Sequence, residues 1–185
     1  WLNQERTPAM LSAWARDEMG WINPVVIDSE GDFSLTPAAT GVACYKMLTP
    51  LRNEYFLLEN RYPVGFDEAL PGSGLAIFHI NTSQPDNSDE RLKLSDLEEA
   101  DGNDDLDKSK NRGDNGDLFP GTSMNTVFND NTYPDSKNYN DNPTGVNIYN
   151  IKKEGNLITF STGAEVVHGI DLTAVTSSNK LIVDE

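Results

Sequence analysis

The stretch from residue 53 to residue 80 constrains the fold most, because it holds two apolar runs joined by a loop of turn-forming residues. The runs, 54–62 and 74–81, have the length and the aliphatic and aromatic content of buried β-strands. Gly65, Pro71 and Gly72 lie between them and favour a surface loop. The sequence therefore predicts a fold built around two neighbouring buried strands.

Polar residues interrupt both predicted strands, and a buried polar group needs a partner. Glu59, Asn60 and Arg61 end the first run, and His79 lies inside the second. On a strand, Glu59 and Arg61 share one face while Asn60 takes the other. Either this polar face lines a cleft, or it fixes the strand as an ion-paired group with Asp67 as a partner for Arg61. His79 is either a core histidine with a buried partner or a group that orients a zinc centre held elsewhere.

The first part of the chain predicts one helix, over residues 7–20. Thr7 can cap its start, Pro8 suits the first helical position, and Gly20 suits its end. Spacings of three and four residues place four apolar side chains on one face. These are Met10, Leu11, Trp14 and Ala15.

The remaining apolar segments predict short strands. Three antiparallel strands are expected at 25–27, 32–35 and 43–48, and a hairpin at 146–161 that turns at 154–156. Cys44, the single cysteine, lies in one of these apolar runs and is predicted to be a buried small hydrophobe. The predicted class is α+β, with mostly antiparallel β-strands, one N-terminal helix and a long acidic loop.

The acidic loop is the main candidate binding site. Residues 86–117 hold twelve acidic and five basic residues, and Ca²⁺ takes six to eight oxygen ligands in proteins. The loop begins with the spacing of an EF-hand, but Leu106 and Arg112 stand where that motif needs Gly and Glu. Two interpretations stay open, a calcium site of another kind and a solvated acidic loop without metal. The candidate calcium ligands are Asp101, Asn103, Asp105, Asp107, Asp114 and Asp117.

Composition excludes several classes of function. A net charge of −16, from 30 acidic and 14 basic residues, argues against binding nucleic acid or anionic membrane surfaces. No apolar run approaches the ~18 residues of a transmembrane helix. One cysteine forms no internal disulfide. The two histidines, His79 and His168, lie far apart in the sequence and do not make a zinc site, which usually needs three protein ligands.

Several sequence blocks, in order, carry a resemblance to a known family. They are LSAW and GW in the helical region, EYFLLENR, GFD, GSGLAIFHIN, EADG, GDNGDLFPG and the closing hairpin, and together they span residues 8–161. This succession resembles the secreted bacterial zinc metallopeptidases of the M6 (immune inhibitor A-like) group. In that group the stretch lies downstream of the HExxH helix, and no HExxH occurs in this chain.

The resemblance implies a role inside a larger metallopeptidase domain. Residues 1–163 would form its C-terminal subdomain, and 164–185 a linker or the start of a following module. The zinc ligands would belong to the upstream, HExxH-containing part of the same secreted protein, which acts on protein or peptide substrates. The chain alone is then expected to be inactive, with His79, Glu59 and Arg61 lining the cleft or orienting the zinc site. The alternative is a non-catalytic, calcium-stabilised, β-rich binding or adhesion module.

Overall fold

Two β-sheets and one short helix make up the fold, which a computed structural model describes for residues 8–163. The helix is α1 (Ala13–Glu18). The first sheet has the strand order β1 (Val25–Val26), β3 (Tyr45–Leu48), β4 (Glu54–Arg61), β5 (Gly74–Asn81), β6 (Ser95–Leu97). The second has the order β2 (Gly31–Leu35), β9 (Leu157–Thr162), β8 (Asn147–Glu154), β7 (Phe128–Asn129). The predicted class, α+β with mostly antiparallel strands, is confirmed.

The two predicted central strands form the middle of the first sheet. β4 and β5 are antiparallel and pair along their full length, from Glu54 opposite Asn81 to Arg61 opposite Gly74. β5 has the predicted bounds, and β4 ends one residue earlier than expected. Every residue of β4 is buried, including the charged Glu54, Glu59 and Arg61, so these side chains need partners inside the fold.

The faces of this pair belong to two separate apolar clusters, because neighbouring strand residues point to opposite sides. Phe56 and Ile77 face the second sheet and join Phe160 in the main core. Leu57 and Ile80 point the other way, toward α1. The second sheet therefore covers one face of the first sheet, whereas a helix of only six residues packs on the other.

The helix begins later than predicted. It starts at Ala13 with Ser12 as its N-cap, and the segment from Pro8 to Leu11 is not helical. The physical reason is a competing set of partners for the backbone. The Met10 N–H donates to Asp67 at 2.8 Å, and the Met10 carbonyl accepts from Arg61 at 3.0 Å. These bonds hold the segment against Arg61 and Asp67 and keep it out of the helix.

The predicted apolar face of the helix is correct for Trp14, which packs against the second apolar cluster, and wrong for Leu11. The buried helical residues are Ala13 and Arg16, and Leu11 is 42% exposed. The helix is turned this way because the Arg16 guanidinium pairs with a carboxylate of β4. Its C-terminal end does match the prediction, since Gly20 follows it with a positive φ of 68°.

The shorter strands agree in place but not always in pairing. The predicted strand at 25–27 forms β1, which pairs with β3 in parallel and not antiparallel. The predicted hairpin is confirmed as β8 and β9, with Gly155 in the turn at φ 64°. The register of the β8–β9 pairing shifts between Tyr149 and Lys152, which explains why apolar and polar residues do not alternate regularly along β8.

Within residues 8–163, no helix has both the length and the apolar character needed to cross a bilayer. The predicted boundary at 163/164 stays a prediction, since residues 164–185, including His168, lie outside the part of the chain that the structure describes.

Candidate metal centre

Three carboxylates of the acidic loop converge in space. Asp101, Asp114 and Asp117 each place an oxygen within 4.8 Å of the others. Asp101 is partly buried, Asp114 is exposed and Asp117 is buried. We call this group the acidic triad; it could hold a metal ion, because carboxylate oxygens are the ligands that hard divalent cations prefer.

Backbone bonds fold the loop so that Asp101 and Asp117 come together. The Ala100 N–H donates to the Asp117 carbonyl at 2.9 Å, which brings Asp101 beside Asp117. The buried Glu99 carboxylate accepts the N–H groups of Asp105 and Leu106 at 2.7 and 2.9 Å. Burial raises the pKa of Glu99. The first turn of this part of the loop is therefore built around the buried Glu99 carboxylate.

Asp117, a member of the acidic triad, has one carboxylate oxygen without a hydrogen-bond partner. The residue is 4% exposed, and its Oδ2 accepts the Asp114 N–H at 2.7 Å. Its Oδ1 is buried and has no hydrogen-bond partner. Burial, reinforced by the nearby Asp114 and Asp101 carboxylates, raises the pKa of Asp117. A buried carboxylate oxygen without a partner is costly, and a bound cation would satisfy it.

Gly116 leaves the space that the carboxylates enclose. A Cβ at this position would overlap Asp101 Oδ2 and lie 3.0 Å from Asp114 Oδ1. The Gly116 N–H donates to Asp114 Oδ1 at 2.6 Å, so its backbone also orients that carboxylate. Sequence reasoning did not single out Gly116, although its place between Asp114 and Asp117 was the available signal.

The other predicted ligands have different partners. Asn103 donates from Nδ2 to Asp101 Oδ2 at 2.9 Å and so positions a carboxylate of the triad. Asp105 pairs with Lys110 at 2.8 Å. Asp107 pairs with the buried Lys93. The structure therefore brings three of the six predicted residues together and places Asp105 and Asp107 in ion pairs.

The polar face of β4 forms a buried ion-paired network. The fully buried Glu59 pairs with Arg16 of α1 and with Arg61 at 3.1 Å. Arg61 also pairs with Asp67 at 2.8 Å, the partner expected from the sequence. Asn60 points to the other side and donates to two backbone carbonyls at 2.8 Å. In these contacts Glu59 and Arg61 fix the N-terminal segment to the sheet.

His79 lies between two carboxylates and two aromatic rings. Its Nε2 is 3.2 Å from Glu54 Oε2, and its Nδ1 is 3.4 Å from Glu98 Oε1. The ring stacks on Tyr139 at 4.4 Å and lies 4.5 Å from Phe56. Burial raises the pKa of Glu98. These are the contacts of a core histidine. His79 also belongs to no cluster that could hold a metal ion, since the acidic triad is the only group of three or more His, Cys, Asp or Glu residues within residues 8–163 whose ligand atoms lie within 4.8 Å of one another.

A groove of about 780 Å³ opens beside the triad. Its wall includes Ala76, Phe78 and Leu97, which lie on the face of the first sheet that the short helix leaves uncovered. Asp114 and Asp117 line it too, so the triad and the groove share side chains. The sequence contains a hint of this groove. β5 is apolar on both faces, and the single predicted helix is too short to cover the second face.

Comparisons with known proteins add no relative to this description. No protein-family model, no curated protein and no solved structure matches the chain. The sequence motifs and the geometry of the site are therefore the basis for a function.

Proposed function

We propose that this chain binds Ca²⁺ at the acidic triad and supports the catalytic cleft of a secreted, M6-like zinc metalloendopeptidase as its C-terminal part. The zinc ligands would lie upstream in the same protein. The observation that carries the calcium site is the buried Asp117, whose Oδ1 has no hydrogen-bond partner and whose carboxylate lies close to two others. Ca²⁺ would offset two of the three negative charges of the triad and join Asp101 to Asp114 and Asp117.

The donor set favours calcium over the other common ions. The acidic triad offers oxygen ligands alone, whereas zinc sites usually contain histidine or cysteine. Asp114 is exposed, so water can complete a coordination sphere of six to eight oxygens. Mg²⁺ usually keeps several waters and requires a near-ideal octahedral arrangement of ligands. Three carboxylates on a loop do not impose that geometry.

The peptidase assignment depends on the sequence resemblance, and the fold gives it support. EYFLLENR is β4, GSGLAIFHIN covers β5, and GDNGDLFPG carries Asp114 and Asp117. The matching blocks are thus the segments that build the central strands and the candidate metal centre. Among residues 8–163 no side chain fills the apolar groove on the first sheet, which supplies a surface on which an upstream part of the protein could pack.

The calcium site is tested by thermal unfolding of the chain with EDTA, Ca²⁺, Mg²⁺ or Zn²⁺. We expect Ca²⁺ to stabilise the fold by about 2.7 kcal/mol at 100 times its Kd. Asp117→Asn should remove the response, because it replaces the buried ligand oxygen. Asp105→Asn, which neutralises another carboxylate of the same loop, should keep it. A full calcium response in Asp117→Asn, or none in the unchanged chain, would rule out the triad as the site.

The supporting role is tested by activity. Purified chain supplied with Zn²⁺ should not cleave casein, since the resemblance places the HExxH segment upstream. The longer natural protein containing that segment should cleave casein, and removing residues 8–163 from it should abolish activity. Zinc-dependent proteolysis by the isolated 185 residues would contradict the proposal.

The second candidate is a non-catalytic, calcium-stabilised binding module. The groove favours it, because its volume and its apolar wall are typical of ligand sites in proteins. The gene upstream of Trp1 distinguishes the two candidates. An HExxH motif there supports the peptidase, and its absence supports the binding module.

A further inference from the structure

The segment between two residues of the acidic triad contains an unusual dipeptide for this chain. Asn115 and Gly116 form the single Asn-Gly pair in the sequence, and they lie between Asp114 and Asp117. Asn115 is exposed. Within residues 8–163 its side-chain amide makes no hydrogen bond, whereas the side chains of the loop residues Asn111 and Asn138 accept backbone N–H groups. Its amide carbon is therefore free to react.

The backbone nitrogen that can react with this amide is held by a carboxylate of the acidic triad. The Gly116 N–H donates to Asp114 Oδ1 at 2.6 Å, and this bond must open before the nitrogen can give up its proton to solvent base and attack. Gly116 has no side chain to obstruct ring closure, and the overlap of a Cβ with Asp101 shows that the loop requires glycine here. We propose that Asn115 is a site of spontaneous deamidation, and that Ca²⁺ at the acidic triad protects it.

The reaction balances without any cofactor. The Gly116 nitrogen bonds to Cγ of Asn115, the bond from Cγ to the side-chain nitrogen breaks, and ammonia leaves with the proton that Gly116 gave up. The product is a succinimide ring. Water then opens the ring at either of its two carbonyl carbons. One opening gives aspartate at position 115, and the other gives isoaspartate, in which the main chain runs through the side-chain carbon.

Protection by calcium follows from the position of Asn115 and depends on the proposed function. Ring closure requires the backbone at 115–116 to rotate and the Gly116 nitrogen to leave Asp114. A cation held by Asp114 and Asp117 fixes both ends of this short segment. Deamidation then proceeds from the metal-free state, and its rate falls by the factor 1 + [Ca²⁺]/Kd, about 100-fold at 100 times Kd.

The two products would change the metal site in opposite directions. Aspartate at 115 adds a fourth carboxylate beside the triad, which favours calcium. Isoaspartate lengthens the main chain by one carbon and displaces Gly116 from its place between Asp101 and Asp114. A chain left without calcium would therefore become a mixture of forms that differ in calcium affinity. Asn115→Asp, prepared separately, should bind Ca²⁺ more tightly than the unchanged chain in calorimetry.

The experiment is peptide mapping by mass spectrometry during incubation of the 185-residue chain in mildly alkaline buffer. One series contains EDTA, others contain graded Ca²⁺, and one contains urea as the unfolded reference. Asn87 is the internal control, because it is exposed but its amide donates to the Ser95 carbonyl at 2.8 Å. Asn115→Gln is the control variant, since the longer side chain closes its ring much more slowly.

We expect Asn115 to deamidate in EDTA and to deamidate more slowly as the Ca²⁺ concentration rises. The dependence of the rate on Ca²⁺ should give the same Kd as calorimetry. An Asn115 that stays intact in EDTA while the urea-unfolded chain converts would overturn the modification site. A rate that ignores calcium despite calorimetric binding would overturn the protection. Absence of calorimetric binding would instead overturn the calcium site of the proposed function. The deamidation of Asn115 in EDTA would still test the modification site, because that measurement does not depend on calcium binding.

Discussion

Replacing Glu59 by Gln should destabilise the fold strongly. Glu59 is fully buried and accepts from Arg16, from Arg61 and from the Ala13 N–H. Gln keeps the volume but removes the negative charge and turns an NH₂ group toward a guanidinium. Breaking one side of a buried ion pair costs about 3–5 kcal/mol, because the remaining charge stays buried without compensation. For a chain of this length, each kcal/mol lowers the unfolding midpoint by about 2–4 °C.

Urea unfolding of Glu59→Gln measures this cost, with Glu154→Gln as the matched control. Glu154 is exposed at the end of β8 and has no ion pair among residues 8–163. We expect a lower midpoint with an unchanged m value for Glu59→Gln, and a change within about 0.5 kcal/mol for the control. Equal effects of the two substitutions would refute the view that the Glu59 network holds the N-terminal segment on the sheet.

Three further predictions use single substitutions or one reagent. Gly116→Ala should abolish the calcium-dependent rise in unfolding temperature, because its Cβ would overlap Asp101 Oδ2. Burial raises the pKa of Asp96 to about 6, so the folded state binds a proton more tightly than the unfolded state. Stability should therefore fall as pH rises from about 4 to about 6, and Asp96→Asn should flatten that decline in urea midpoints. Burial also raises the pKa of the Cys44 thiol to about 12, so iodoacetamide at neutral pH should label it only as urea unfolds the chain.

The central strands and the hairpin could be predicted from local pattern, because their apolar content and turn residues suffice. The start of the helix could not. Pro8 and Thr7 form a good local start, but the segment that follows is held by Asp67 and Arg61, which lie more than fifty residues away in the sequence. The spacing of apolar residues along a helix carries no information about partners so far away in the sequence. The hydrogen bonds to these distant partners outweighed the local helix propensity of the segment.

The candidate metal centre shows the same division between local and distant information. The sequence marked the acidic loop, since alternating Asp and Asn residues are visible at once. It did not show that Asp105 and Asp107 would pair with Lys110 and Lys93. Convergence of Asp101 with Asp117 depends on the bond from the Ala100 N–H to the Asp117 carbonyl. The acidic character of the loop was therefore predictable, whereas the identity of the carboxylates that converge needed the fold.

With Ca²⁺ at the acidic triad, as proposed, the side chains that the triad shares with the groove would link calcium binding to whatever packs on the first sheet. Asp114, Asp117 and Arg112 all line the groove, and Arg112 forms no ion pair within residues 8–163. Without metal the three carboxylates of the triad outnumber the Arg112 guanidinium, and a bound Ca²⁺ would offset that excess of negative charge. An upstream segment with an apolar surface and an acidic residue would then dock more tightly when calcium is bound. By linkage, the same docking would tighten calcium binding, so both should be lost together in Asp117→Asn.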